Sequence, residues 1–275
     1  MLADYHVHTP YCGHAKGKII QYIENAIQFG FQEIGFADHL GRYYLSQTQK
    51  KRYWDWGMNE KDIFRYISEL SDLKEIYADQ ITIKTGLEID YIEGAEELLL
   101  RILDQISIDF SICSIHCLPR FSWEHLSEYN GKDTRSVYKE YFHQARSAVK
   151  SGLFSSLGHL DYIWRYIAFP EEKHDELVDE INNTINAALQ SHTCLEVNAN
   201  GYLWSRANKD SRYNLFEIFL ELISKNHAPI TIGSDAHDPS MVGKSFPNLI
   251  KLLYKKNISS MYCFSEGKAQ LQQLG

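Results

Sequence analysis

Hydrophobic and polar positions along this chain follow two periods in turn, one of two residues and one of about 3.6, and their alternation sets the architecture. The opening run Tyr5-His6-Val7-His8 has the shorter period and reads as a strand. The His6 and His8 imidazoles therefore project to one side, and the Pro10 to Gly13 turn returns His14 close by. Ile19, Ile23, Ala26 and Ile27 then recur at helical spacing up to Gly30, after which Glu33-Ile34-Gly35-Phe36 makes a short strand ending at Ala37-Asp38-His39. Residues 41–58 are aromatic and basic without a clean period and read as a loop or lid beside a site. A helix from about Glu60, with Ile63, Ile67, Leu70 and Ile76 on one face, leads to a strand over 81–87 that runs into Glu88.

The rhythm continues to the end of the chain. A helix over 94–104 precedes a strand over 108–115 with His116 at its end, and a helix over 134–150 precedes a strand over 154–158 with His159. A helix over 171–190 leads to Cys194-Leu195-Glu196-Val197 and Asn198; a helix over 213–225 leads to a strand over 230–234, then Asp235-Ala236-His237. One more helix (246–255), a short apolar stretch (261–264) and a polar end follow. Seven strand-then-helix units predict an α/β fold, a parallel sheet closed or nearly closed into a barrel, as one domain over 1–275.

His6, His8, His39, Glu88, His116, His159, Asn198, Asp235 and His237 all fall at the C-terminal ends of these strands, which converge on one face in a βα barrel. With His14 they include seven of the twelve histidines; His125, His143, His174, His192 and His227 lie elsewhere and are assigned surface or packing roles. Imidazoles mixed with carboxylates suit zinc, manganese or iron rather than calcium. So many donors exceed one ion, which implies two or three divalent ions with Glu88 as a natural bridge. Closely spaced ions acidify a bridging water and clamp an in-line displacement, and their charge attracts a phosphate.

Composition narrows the chemistry. A formal charge of -8 argues against a sequence-independent nucleic-acid binder. No apolar run approaches the roughly 18 residues needed to span a bilayer, and no signal-peptide pattern opens the chain, so a cytoplasmic location is expected. Five cysteines without CxxC spacing suit reduced thiols. Walker A, GxGxxG, Gly-x-Ser-x-Gly and Asp-x-Asp motifs are missing, which leaves metal-bound water as the nucleophile.

In order and spacing, His6-x-His8, His14, Ala37-Asp38-His39, Gly86-Leu87-Glu88, Ser114-Ile115-His116, Gly158-His159-Leu160-Asp161 and Gly233-Ser234-Asp235-Ala236-His237 resemble the PHP (polymerase and histidinol phosphatase) metallo-phosphoesterases. Within that family the chain resembles the stand-alone histidinol-phosphate phosphatases. The resemblance implies a distorted (βα)7 TIM-like barrel holding three metals. One would take His6, His8, Glu88 and Asp235; a second Glu88, His116 and His159; a third His14, His39 and His237. It also matches Asn198 to a Glu-x-Asn strand end that positions substrate.

Arg165 and Arg206 each follow a ligand-bearing strand end and could fork onto phosphate oxygens, with Arg42 in the aromatic loop a further candidate. The expected activity is hydrolysis of a small phosphomonoester, L-histidinol phosphate, with Glu88 and Asp235 indispensable. The leaving alkoxide would be assisted by the third ion, its water, Asp38 or His237, and the sequence leaves that choice open. Alternatives are another PHP phosphoesterase acting on phosphotyrosine or a nucleotide, and a non-catalytic metal-dependent binding module. The expected partner is a small-molecule phosphomonoester, with neither nucleic acid nor membrane; the sequence does not set the oligomeric state.

Overall fold

In chain order the strands are β1 (Ala3–Val7), β2 (Glu33–Leu40), β3 (Thr82–Asp90), β4 (Phe110–Ser114), β5 (Cys117–Leu118), β6 (Glu124–His125), β7 (Ser156–Leu157), β8 (Cys194–Asn198), β9 (Ile230–Gly233), β10 (Ser260–Ser265) and β11 (Lys268–Gln273). The structure is a computed structural model that describes residues 2–40, 43, 57–58, 60–118, 124–131, 133–168, 174–207, 214–265 and 267–275. The helices within them are α1 (Ile19–Gln28), α2 (Ile63–Ile76), α3 (Glu96–Leu103), α4 (Thr134–Ser151), α5 (His174–Gln190), α6 (Ala199–Ala207), α7 (Leu215–Asn226) and α8 (Phe246–Lys255).

Seven strands pair in parallel in the order β1-β2-β3-β4-β7-β8-β9. The two outer strands then meet: Asp235 N–H donates to the His6 carbonyl at 2.7 Å and His8 N–H to the Ala236 carbonyl at 3.0 Å. The parallel sheet is thus nearly closed into the expected α/β barrel. Its strands are buried almost without interruption, as a sheet covered by helices on one face and filled on the other requires. The helices amphipathic in sequence turn their apolar stripe inward; α1 buries Ile19, Tyr22, Ile23 and Ala26.

Three local expectations change. The buried stripe of α2 is Ile63, Tyr66, Leu70 and Leu73, whereas Ile76 is 66% exposed at the helix end. Tyr66 draws the stripe round, because its hydroxyl reaches the Gly86 carbonyl at 2.9 Å. A helix, α6, starts directly at the end of β8 because Asn198 Oδ1 accepts the N–H groups of Asn200 (2.9 Å) and Gly201 (3.2 Å), as a capping residue does. The polar tail forms the hairpin β10–β11, which covers the N-terminal end of the barrel. There Phe264 and Phe110 pack edge-on against Tyr5 (5.5 and 4.9 Å), and the Phe264 N–H donates to the Tyr5 hydroxyl at 2.7 Å. With that end plugged, the opposite rim is free to carry polar chemistry. No helix among the described residues is long and apolar enough to cross a membrane.

Candidate metal centre

The polar residues that end the strands meet at the rim opposite the hairpin. Close backbone approach brings them together: a Cβ on Gly233 would collide with Glu196 Oε1 and His6 Cβ, so only glycine lets β9 lie this near β1 and β8. Asp4, wholly buried, accepts the N–H groups of Ser234 (2.9 Å) and His6 (3.2 Å) and so ties the first strand to the last. Asp235 then takes a left-handed backbone (φ 55°), a conformation aspartate tolerates better than most residues.

Five imidazoles surround the Glu88 carboxylate. Oε2 lies 3.2 Å from His6 Nε2, 3.4 Å from His8 Nε2 and 2.8 Å from His39 Nδ1; Oε1 lies 3.0 Å from His159 Nε2 and 3.5 Å from His116 Nε2. Asp235 Oδ1 sits 3.3 Å from His8 Nε2 and 3.5 Å from His237 Nδ1. His237 stacks on His8 (3.9 Å) and His14 (4.6 Å). Donor atoms lie within 4.8 Å of one another in the sets His6, His8 and Asp235; His6, Glu88 and His159; His8, His39 and Glu88; and His14, His39 and His237. The last brings together the three residues of the third triplet that the resemblance implies. Around His159, His6 completes the mutually close set, while His116 approaches Glu88 from the side of the β5–β6 hairpin.

Carboxylates hold the outer nitrogens of the His6 and His116 rings and the backbone N–H of His159. Glu196 Oε1 binds His6 Nδ1 at 2.6 Å and its Oε2 accepts the His159 N–H at 2.8 Å; Asp90 Oδ1 binds His116 Nδ1 at 2.9 Å. A ring that donates from one nitrogen presents a lone pair on the other, the arrangement that orients imidazole toward a metal. Both His8 ring nitrogens, His6 Nε2 and Glu88 Oε2 are buried and without a hydrogen bond among the described residues. Imidazole and carboxylate donor atoms gathered this closely in a buried site suit divalent ions.

The electrostatics agree. Burial alone would raise Glu88 and Asp235, yet His39, His6 and His116 hold the Glu88 carboxyl well below its usual range, and His8, His6 and His237 do the same for Asp235. Burial and the neighbouring His8 lower His237 to about 2, and burial, offset in part by Glu88, lowers His39 to about 4. Both rings are neutral donors at pH 7.

Of the residues chosen for substrate, Arg165 reaches the centre. It is 13% exposed, with Nη1 3.9 Å from Asp235 Oδ2, Nη2 donating to Asn198 Oδ1 at 3.2 Å, and a buried Nε that lacks a partner among the described residues. Asn198 Oδ1 is saturated by that arginine and by the cap of α6, so Asn198 positions Arg165 and does not itself offer this oxygen to a ligand. Asp38 turns away from the cluster: its oxygens accept the Thr9 N–H (2.7 Å) and hydroxyl, with His8 Nδ1 at 3.7 Å. Arg206 is exposed in the last turn of α6 and makes no hydrogen bond or ion pair with the cluster among the described residues. Its helical setting, invisible without the Asn198 cap, turns it outward. Arg42 and most of segment 41–58, expected as a loop or lid, lie outside the described residues; the Tyr43 hydroxyl donates to the Asp90 carbonyl (3.0 Å) and the Met58 N–H to the His39 carbonyl (2.8 Å).

Sequence reasoning passed over Glu196 and Asp90, whose position two residues from a strand-end polar residue was the available signal. Beside the cluster lie His125, expected in a surface or packing role and 6.2 Å from His116, and Tyr162, 4.7 Å from His159.

Residues 4–200 match the PHP domain family. The chain is 28% identical over 263 residues to the histidinol-phosphatase of Bacillus subtilis, covering 88% of this chain and 96% of that one. It is 27% identical over 255 residues to a probable histidinol-phosphatase of Deinococcus radiodurans, with 91% and 92% covered. Its fold is similar to the crystal structure of a histidinol phosphate phosphatase from Lactococcus lactis in complex with zinc, L-histidinol and phosphate. That match has TM-score 0.78 and 21% identity over 98% of each chain.

Proposed function

The chain belongs to the PHP domain family, and from that premise we propose that it is a metal-dependent phosphomonoester hydrolase that converts L-histidinol phosphate and water to L-histidinol and phosphate. The observation that carries this is the Glu88 carboxylate ringed by five imidazoles with a largely buried arginine at its edge. The similarity to histidinol-phosphatases along most of the chain supports the substrate.

His6, His8, Glu88 and Asp235 would hold one ion, Glu88, His116 and His159 a second, and His14, His39 and His237 a third. When bound, two or three ions of zinc, manganese or iron supply the Lewis acidity that activates water and offsets phosphoryl charge. The protein's part is placement. Glu196 and Asp90 fix the His6 and His116 rings; Arg165, steadied by Asn198, presents its guanidinium to the phosphoryl oxygens, where charge builds up in the transition state. Attack by water on phosphorus forms the new P–O bond and breaks the ester P–O bond, and the departing alkoxide takes up the proton that the water gives up. His237, held neutral, serves as a donor to metal and not as the acid.

The test is phosphate release by metal-loaded protein from L-histidinol phosphate, a phosphotyrosine peptide and a nucleoside monophosphate side by side. The proposal predicts the highest kcat/KM for L-histidinol phosphate; a higher value for either alternative overturns the substrate assignment.

A further inference from the structure

The donor sets of the centre are enclosed to very different degrees. His6, His8, Glu88 and His159 are each 1% exposed or less, and His116 is buried beside them. In the set of His14, His39 and His237, by contrast, His14 is exposed and the His237 side chain is 31% exposed, which leaves His39 as its one buried member. Solvent reaches this set and not the others.

Charge divides the sets in the same way. Glu88 or Asp235 belongs to each of the close sets built on His6, and a carboxylate out of water draws a divalent cation far more strongly than a neutral ring does. The His14, His39 and His237 set holds three imidazoles and no carboxylate. Glu88 Oε2 touches its edge at His39 Nδ1 (2.8 Å) and Asp235 Oδ1 at His237 Nδ1 (3.5 Å), yet neither carboxylate is a member of the set.

The outer support follows suit. Carboxylates bind His6 Nδ1 and His116 Nδ1, whereas His14 Nδ1 lies 3.2 Å from the Cys12 carbonyl and His237 Nδ1 lies 3.1 Å from the Asp235 carbonyl. A carbonyl only accepts, so both Nδ1 atoms carry hydrogen and both Nε2 atoms offer lone pairs. Such neutral partners raise the basicity of a ligand ring less than a carboxylate does. The set is nonetheless formed: the Lys16 N–H donates to the His237 carbonyl at 2.8 Å and joins the turn that carries His14 to the loop that carries His237.

We propose that the centre is graded, with the ion on His14, His39 and His237 exchanging readily with solution while the ions bound through Glu88 are retained. This rests on the three-ion reading above. Turnover that depends on the third ion then follows the free concentration of divalent metal, so the open set makes the enzyme responsive to metal supply.

Zinc-loaded protein freed of excess metal is mixed with a chromogenic chelator; release is followed by absorbance, and ions per chain are counted by elemental analysis before and after. One equivalent is expected to leave at least about tenfold faster than the rest, the difference that loss of outer carboxylate support brings. His14→Ala and His237→Asn are each expected to bind one ion fewer and to lose the fast phase, with the slow phase unchanged. Release of all ions in a single phase, or a fast phase that survives in either variant, overturns the grading. Wild type that binds no ion overturns the metal reading and the grading together. Graded release from protein that leaves L-histidinol phosphate intact upholds the grading and overturns the proposed activity alone.

Discussion

Replacing Glu196 with glutamine is the sharpest perturbation of the ring-holding carboxylates, because it removes one charge without changing shape. Glu196 is 1% exposed and uses both oxygens: Oε1 takes the His6 Nδ1 hydrogen at 2.6 Å, and Oε2 takes the His159 N–H at 2.8 Å and the Asn198 amide at 3.2 Å. Glutamine keeps one acceptor. If the carbonyl stays with His159 N–H, the new amide faces the His6 Nδ1 hydrogen, and one of two buried donors is stranded. If the amide flips, the His159 N–H is stranded instead. The first outcome misorients the His6 ring that faces Glu88, and the second loosens the backbone that carries the His159 ring. Losing such an outer carboxylate weakens metal binding by roughly 10- to 100-fold, about 1.4–2.7 kcal/mol. Competition against a chelator of known affinity at pH 7.5 reads this directly, with circular dichroism confirming an unchanged fold. Metal affinity in Glu196→Gln within twofold of wild type would refute the view that this carboxylate sets the His6 ring.

Other consequences can be checked with the same protein. Glu88→Ala removes the carboxylate common to five imidazoles, so metal content and phosphate release are expected to fall together by at least about 100-fold; ions retained at full stoichiometry would contradict the shared-ligand role. Arg165→Lys keeps the charge but loses the planar fork, and kcat/KM is expected to drop roughly 10- to 100-fold with metal content unchanged, as measured by steady-state kinetics and elemental analysis. Asp4 is raised by burial from an ordinary 3.8 to about 6, only partly offset by its bonds to Ser234 and His6. Because the folded value is the higher one, stability is present at low pH and is lost as pH climbs from about 4 past 6, reaching about 3 kcal/mol at pH 8. Chelator-treated Asp4→Asn is therefore expected to resist urea better than chelator-treated wild type at pH 8 and to match it near pH 3.5; a pH-independent difference would show that this burial is not the cause.

The strand-end donors were legible because a parallel barrel makes one rule serve seven positions: a polar side chain at the C-terminal end of an apolar strand points to a common rim. His6, His8, His39, Glu88, His116, His159, Asp235 and His237 all obey it, and His192 and His227, placed by sequence before strands, do occupy the left-handed turns that precede β8 and β9. What could not be read depends on chain reversals. Arg206 looked like Arg165, yet the Asn198 cap starts a helix that turns Arg206 to solvent. His125 was expected in a surface or packing role, and it is the two-strand return of β5 and β6 that lays it along His116. Asp38 sits at a strand end like the ligands, but Thr9 captures both of its oxygens.

The central claim, a multinuclear centre that hydrolyses a phosphomonoester, is tested most directly by counting metal and turnover in one preparation. Elemental analysis of purified protein is paired with phosphate release from L-histidinol phosphate before chelation, after chelation and after readdition of zinc, manganese or iron. The prediction is two or three ions per chain, activity lost with them and restored by their return; full turnover by the metal-free chain would contradict it.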